Sequence, residues 1–317
     1  MGGENPIRHH YIPQFLLRPF CFDGSHLHYY DKQTNSVTDR KIEETFMARN
    51  LYRDDINHPG SPVQMEKDFS KFEDEVAKII KRFREDDEVV LTLEEDSKLK
   101  LFFAVMGFRA ERVSKMFSPD ANEEFKEFYS LFQEDGNLED LWKRNLGEIV
   151  NCRSLQEVLQ NPYIDEPIKL FMRRDTEGLL GSYFVIAEKR GAEELIIGDS
   201  YPTAVIGSSE MIPLLTLYSI CPISPIRVLL LAANGVEGAQ ESVSGFERSF
   251  FRKPNYNPNE KTIRHHLRKI YENQVKMLNS ITYDAAERGI IFKNRENASI
   301  DEFESIYASW NNRGEIR

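Results

Sequence analysis

The chain has 317 residues, 40% of them hydrophobic and 29% charged, and it carries 21 Phe and 13 Tyr. That length suits one large domain or two with a substantial core, and that aromatic content excludes extensive disorder. The net charge of -11 weighs against a surface that binds nucleic acid throughout, while leaving room for a local basic groove.

Three scattered cysteines, Cys21, Cys152 and Cys221, show no CxxC spacing. They suit a reducing compartment, read as small buried hydrophobes, and exclude a CxxC zinc site. Polar residues interrupt every short apolar run before residue 30, so no signal peptide is expected. The longest apolar stretch, 211–233, is broken by Pro213, Pro222, Pro225 and Arg227, which suits buried strands and not a membrane span. A cytoplasmic protein with no membrane contact is the expectation.

The chain opens on Arg8-His9-His10-Tyr11-Ile12-Pro13-Gln14-Phe15-Leu16-Leu17-Arg18-Pro19-Phe20, too aromatic and apolar to stay unpacked. A strand at 26–31 follows, with Leu27 and Tyr29 on one face and His26, His28 and Tyr30 on the other. A turn at 32–36 returns it as a hairpin through 37–42, and 50–53 adds a short strand.

Ser61, Pro62 and Gln64 read as the capping box of a helix that carries Met65, Phe69, Phe72, Val76, Ile79 and Phe83. Thr92 and Glu95 open a second helix, whose apolar face runs from Leu99 through Phe102, Phe103, Met106, Ala110 and Val113 to Phe117. Ser118 and Pro119 start a third, and weaker helices lie within 138–173. A β-hairpin is expected from 179–189 and 194–197, with further strands at 215–220 and 227–232 and a loop at 234–244. A helix starting near Pro258 would turn Ile263, Leu267, Ile270, Tyr271, Gln274 and Leu278 inward. Gly289 ends the helical stretch before a short strand at 290–293 and a terminal helix with Phe303, Ile306 and Trp310.

This order predicts an α+β fold: short N-terminal strands, a helical middle section, an antiparallel β-rich section and closing helices. One domain over 1–317 is expected, with a helical insert at about 61–173.

Four groups of residues are candidates for chemistry. In the opening segment, His9 and His10 can ligate metals or move protons, and Gln14 and Arg18 can hold an anion. Adjacent residues of an extended segment point to opposite faces, so the two histidines should not share one task. The plain alternative is a packed edge whose polar atoms satisfy buried backbone. Second, Asp199 ends an apolar strand in Ile196-Ile197-Gly198-Asp199-Ser200-Tyr201-Pro202, where a carboxylate can ligate a metal, act as a base or orient a histidine; taken alone, an ordinary Asx or ST turn is the better explanation. Third, Glu66 and Glu73 lie two turns apart on one helix and Arg109 and Arg112 neighbour each other on the next, either as ion pairs or around a cleft. Fourth, Lys261, Arg264, His265, His266, Arg268 and Lys269 on the late helix form the one clear basic cluster; residues 261, 265, 268 and 269 share an outer face that would meet the phosphates of a nucleotide or nucleic acid, or simply solvent. There is no P-loop, GxGxxG, HExxH, GxSxG or kinase signature.

The opening and strand-end motifs together resemble family 4238 of the domains of unknown function, widespread in bacteria. Its members carry an HHYxPxFxLRxF-like start, matched here by residues 9–20, and a YDK-like strand end, matched by Tyr30-Asp31-Lys32. Later come TSDxPV- and PLSP-like segments, matched by 198–202 and by Cys221-Pro222-Ile223-Ser224-Pro225. The chain departs from the pattern in two places: Gly198 replaces the usual hydroxyl residue, and Tyr201 is an extra residue before Pro202. The resemblance names no reaction, but it implies one shared site built from His9 or His10, Gln14, Arg18 and Asp199.

Two functional expectations follow. The leading one is a metal-assisted hydrolase of a phosphodiester or nucleotide, a nuclease being one form. In it His9 or His10 and Asp199 are catalytic, Glu66, Glu73 and Asp199 hold a divalent metal ion, and Gln14, Arg18 and Arg109 bind substrate. The alternative is a non-catalytic ligand-sensing or partner-binding module using the same pocket. A purely structural role for the motifs is a third. At most one of His9 and His10 should face Asp199.

Overall fold

The computed structural model describes residues 8–117, 138–166, 168–169, 181–207, 215–233 and 246–311. The fold is α+β, as expected, and the chain divides into two compact units. The first gathers Met1–Pro13, Phe46–Ile79 and Glu94–Leu180; the second gathers Gln14–Thr45, Ile80–Leu93 and Gly181–Arg317. Most of the helical insert expected at about 61–173 falls in the first unit, which also takes in the start of the opening motif.

The first unit begins with β1 (Arg8–His10), paired antiparallel with β4 (Met47–Arg49), His9 lying opposite Ala48. The strand expected at 50–53 therefore comes three residues earlier, and Asn50, at φ 57°, turns the chain out of it. Helix α2 (Gln64–Glu85) buries Met65, Phe69, Phe72, Val76, Ile79 and Phe83 as its periodicity predicts. It starts at Gln64, not Ser61: Ser61 sits in a turn, and the Gln64 amide donates to Asp68 instead of closing a capping box. Helix α3 (Leu93–Phe108) buries apolar side chains all round, Leu101 and Val105 as well as Leu99 and Phe102, the mark of a core helix.

The second predicted helix does not run on to Phe117. It breaks at Arg109–Ala110, where Ala110 is extended, and α4 (Glu111–Met116) resumes. The break leaves the carbonyls of Phe108 and Arg109 outside the helical ladder. Trp142 Nε1 donates to Phe108 at 3.1 Å and the Tyr52 hydroxyl to Arg109 at 3.3 Å. Helices α5 (Leu138–Val150) and α6 (Leu155–Gln160) complete the described part of this unit. The helix expected from 118 lies outside the described residues.

The second unit holds the short α1 (Gln14–Leu17) and three sheets. Strands β2 (His26–Asp31) and β3 (Ser36–Lys41) form the expected hairpin, with Leu27 and Tyr29 buried. They belong to a four-stranded sheet of order β3-β2-β14-β7, where β7 is Ile197–Gly198 and β14 is Gly289–Phe292. Gly289 is required there: a Cβ would lie 2.3 Å from the Tyr30 carbonyl oxygen and 2.6 Å from the Tyr29 ring.

The largest sheet has five strands in the order β13-β6-β10-β9-β8: Arg268–Ile270, Tyr183–Lys189, Arg227–Ala232, Leu215–Pro222 and Thr203–Gly207. The expected strands at 215–220 and 227–232 are present. The expected hairpin of 179–189 with 194–197 is not formed: β6 pairs with β10 and, in parallel, with β13, while β7 pairs with β14. Residues 193–196 of the intervening chain are buried, and their N–H groups are used elsewhere, Glu194 N–H on Asn297 and Leu195 N–H on Pro225.

A three-stranded sheet of β11 (Asn255–Asn257), β12 (Thr262–His266) and β5 (Glu88–Thr92) replaces the start of the late helix. Helix α7 begins only at Glu272 and runs to Ala285; α8 (Ile300–Asn311) is the expected terminal helix. The misreading has a physical cause. Ile263, Leu267 and Ile270 sit at helical spacing, but the buried residue of β12 is His265, a polar type that breaks an alternation search. The loop expected at 234–244 lies outside the described residues. No helix among them is long and apolar enough to cross a membrane.

Candidate functional site

Four of the predicted residues come together in the first unit. β1 presents His9 inward, wholly buried, and His10 outward and half-buried, as the alternation requires. The His9 ring stacks on Tyr52, with centroids 5.3 Å apart, and its Nδ1 accepts the Tyr52 main-chain N–H at 2.7 Å. An Nδ1 that accepts carries no proton, so in the neutral ring the proton is on Nε2. Nε2 has no hydrogen-bond partner among the described residues, and Glu66 Oε2 lies 3.8 Å from it. Burial, with the nearby His10 and Lys143 charges, pushes the His9 pKa down to about 4.

Arg109, 1% exposed, sits where α3 breaks. It donates to Glu73 Oε1 at 2.6 Å and to the carbonyls of His10 and Tyr11 at 3.1 and 3.2 Å, and it packs over the Phe69 ring. Burial opposes its charge, but Glu73, Tyr52 and Glu66 more than offset that and hold it above the usual guanidinium pKa. Burial and the Glu73 charge raise the Glu66 carboxyl, against the pull of Arg109. The result is a buried polar clasp: His9, Arg109, Glu73 and Tyr52 fix the backbone of the opening motif, with Glu66 at its half-exposed edge.

The remaining motif residues belong to the second unit. Gln14 opens α1 half-buried, and Arg18 opens a 3-10 turn, Arg18–Phe20, with its side chain exposed. Asp199 accepts the N–H groups of Glu287 at 2.8 Å and Arg288 at 2.7 Å, clasping the chain as it enters β14. Burial raises its pKa, and those two N–H bonds oppose the rise. It does not make the local Asx turn that was the alternative to a catalytic role. The departures from the family pattern also have packing causes. A Cβ at Gly198 would lie 3.1 Å from the Thr282 carbonyl oxygen and 3.2 Å from Ala286 Cβ, and Tyr201 is a buried core residue.

Arg84 was missed from sequence. It donates from Nη2 to the Phe15 carbonyl at 2.7 Å and from Nε to the Ile223 carbonyl at 2.6 Å, so it joins the opening motif to the 221–225 segment. Burial lowers its pKa to about 10, against the opposing influence of Tyr201. The opening motif and the 221–225 segment therefore meet through a guanidinium between two backbone carbonyls, while Asp199 of the strand-end motif binds the N–H groups of Glu287 and Arg288 instead. Nothing in a run of helix charges distinguishes Arg84 from its neighbours Lys81 and Arg82.

Among the described residues, no group of three or more His, Cys, Asp or Glu side chains is arranged to hold a metal ion. The expected ligand set of Glu66, Glu73 and Asp199 is not assembled: Glu73 faces Arg109, and both Asp199 oxygens face backbone N–H groups.

The basic cluster is not a helix face. Lys261 lies in the β11–β12 turn at φ 52°, Arg264 and His266 point outward from β12, His265 is buried, and Arg268 and Lys269 are in β13. Lys269 pairs with Glu188. Arg264 and Arg268 instead line a cleft of about 170 Å³, joined by Arg252, Lys253, Asn255 and His266. Phe184 to Ile186 of β6 also line it, and none of its lining residues among those described is acidic. Arg252 and Lys253 were not expected; the Arg-Lys-Pro run after Phe250 and Phe251 was their only sequence signal.

A family model described as "Protein of unknown function (DUF4238)" matches residues 8–296. The chain belongs to this family. No curated protein and no solved structure matches it. The DUF4238 match spans both units, the buried clasp and the cleft.

Proposed function

We propose that the protein is a non-catalytic binding module for a small anionic ligand, with the basic cleft of the second unit as its site. The observation that supports this is the convergence of Arg252, Lys253, Arg264 and Arg268 on one concavity with no acidic residue among its described lining, in a chain of net charge -11. Cations gathered in a concave wall raise the local positive potential whatever the sign of the whole molecule. Arg268 directs its donors to the carbonyls of Ser249, Phe250 and Arg252 and so fixes the Arg252 segment against the cleft.

Metal-assisted hydrolysis would need ligands and a base free to act. Glu73 is held by Arg109 and Asp199 by two backbone N–H groups, whereas binding asks only for charge and shape. Calorimetric titration of the full chain with inorganic phosphate, at low and high salt, tests the reading. Binding that weakens with salt and is lost in the Arg252→Ala/Lys253→Ala variant is expected. Metal-dependent cleavage of nucleotides or nucleic acid by the purified protein would overturn it.

A further inference from the structure

We infer that the cleft takes a small carboxylic acid, its carboxylate in the fork of Arg252 and its carbon body beside β6; this rests on the anion-binding reading above. The class follows from which cleft cations still have donors to give. Arg264 Nη1 already donates to Glu88. Arg268 directs Nη1 to the carbonyls of Ser249 and Phe250 and Nη2 to that of Arg252. Lys253 lies 5.8 Å from the centre of the Tyr183 ring, and it and Arg268 have further interactions. Arg252 is exposed, and its guanidinium has no partner among the described residues.

That guanidinium stands on a fixed backbone. The Arg252 N–H donates to the Ser249 carbonyl at 3.4 Å, and the Arg252 carbonyl accepts Arg268 Nη2. Pro254, two residues on, also lines the cleft, and its ring fixes its own φ. The Arg252 side chain can therefore turn to a ligand without the cleft wall having to move.

A planar guanidinium offers two parallel donors, which meet both oxygens and the single charge of a carboxylate. A phosphate dianion on the same fork keeps a third oxygen and a second charge without a contact donor, and unmet acceptors oppose binding. Glu88 adds to that cost: its carboxylate lies 3.2 Å from Nδ1 of His266, another lining residue, and repels the second charge. Phe184, Val185, Ile186 and Pro254 supply apolar lining, and a volume of about 170 Å³ suits a short carbon chain behind the carboxylate.

The test titrates the full chain with butyrate, acetate and inorganic phosphate by calorimetry, in the wild type, Arg252→Lys and Arg252→Ala, with a thermal melt of each. Butyrate should bind the wild type most tightly, about tenfold better than acetate, because two more methylenes are buried. Arg252→Lys keeps the charge and removes the fork. It should lose about tenfold toward butyrate, and Arg252→Ala should lose more. Phosphate bound more tightly than butyrate by the wild type overturns the carboxylate class and leaves the anion site intact. Arg252→Lys binding butyrate as the wild type does overturns the fork. Acetate bound as tightly as butyrate overturns the apolar body. Binding of none of the three by a wild type that melts normally overturns the site itself.

Discussion

His9 Nδ1 accepts the main-chain N–H of Tyr52 at 2.7 Å while the two rings stack. Protonating His9 would turn that acceptor into a donor facing a donor. The folded protein therefore keeps the ring neutral, with a pKa pushed down to about 4, while the unfolded chain titrates near 6.5. Between those values the unfolded state binds more protons, so stability is complete above about pH 6.5 and declines as pH falls toward 4. The loss approaches about 3 kcal/mol at the low end. Glu66, with its carboxyl raised, acts with the opposite sign, so Glu66→Gln should steepen the acid loss and His9→Asn should flatten it. Urea unfolding of the three proteins between pH 7 and pH 4.5 measures both effects.

Arg109→Met should be among the most destabilising substitutions in the chain. It strands Glu73 and releases the carbonyls of His10 and Tyr11. Loss of one partner of a buried pair costs about 3–5 kcal/mol. Glu73, more exposed, should cost less as Glu73→Gln, because the amide oxygen still accepts from Arg109. Thermal melts of the two variants rank them.

Asp199→Asn should destabilise nearly as much as Asp199→Ala, by about 1–3 kcal/mol. An amide offers one acceptor oxygen where two N–H groups, those of Glu287 and Arg288, now each have their own. Faster hydrogen exchange at those two amides, with phosphate binding unaltered, is the expected result. A variant that folds normally but loses ligand binding would return Asp199 to the site.

Arg84→Lys tests the bridge between the opening motif and the 221–225 segment. A single ammonium on a flexible stem cannot reproduce two guanidinium donors 2.7 Å from Phe15 O and 2.6 Å from Ile223 O. A lower melting temperature, close to that of Arg84→Ala, is expected.

Much of the fold is legible where burial follows a simple period. The β2–β3 hairpin, β10 and the inner face of α2 read correctly because Leu27, Tyr29, Leu229 and Phe69 are apolar types in the buried positions. Legibility fails where a polar side chain is buried or a partner is remote. His265 hides β12, and the pairing of β7 with β14 depends on a strand some 90 residues later. The site divides in the same way. His9, Glu66, Glu73 and Arg109 are recognisable as chemically capable residues, and they do gather, but their burial against backbone makes them a clasp. The cleft residues Arg252 and Lys253 carry no pattern of their own, since only tertiary packing sets them beside Arg264.

The central position of β14 in the sheet β3-β2-β14-β7 has a consequence for how the protein is made. Strand β2 ends at Asp31 and its second neighbour begins only at Gly289, so a long stretch of chain must be made between the two. At roughly 5–20 residues per second, the apolar edge of β2, with Leu27 and Tyr29, waits on the order of tens of seconds for Ile290 and Ile291. During that interval it is an open strand edge, the kind of surface that chaperones cover and that neighbouring nascent chains can capture.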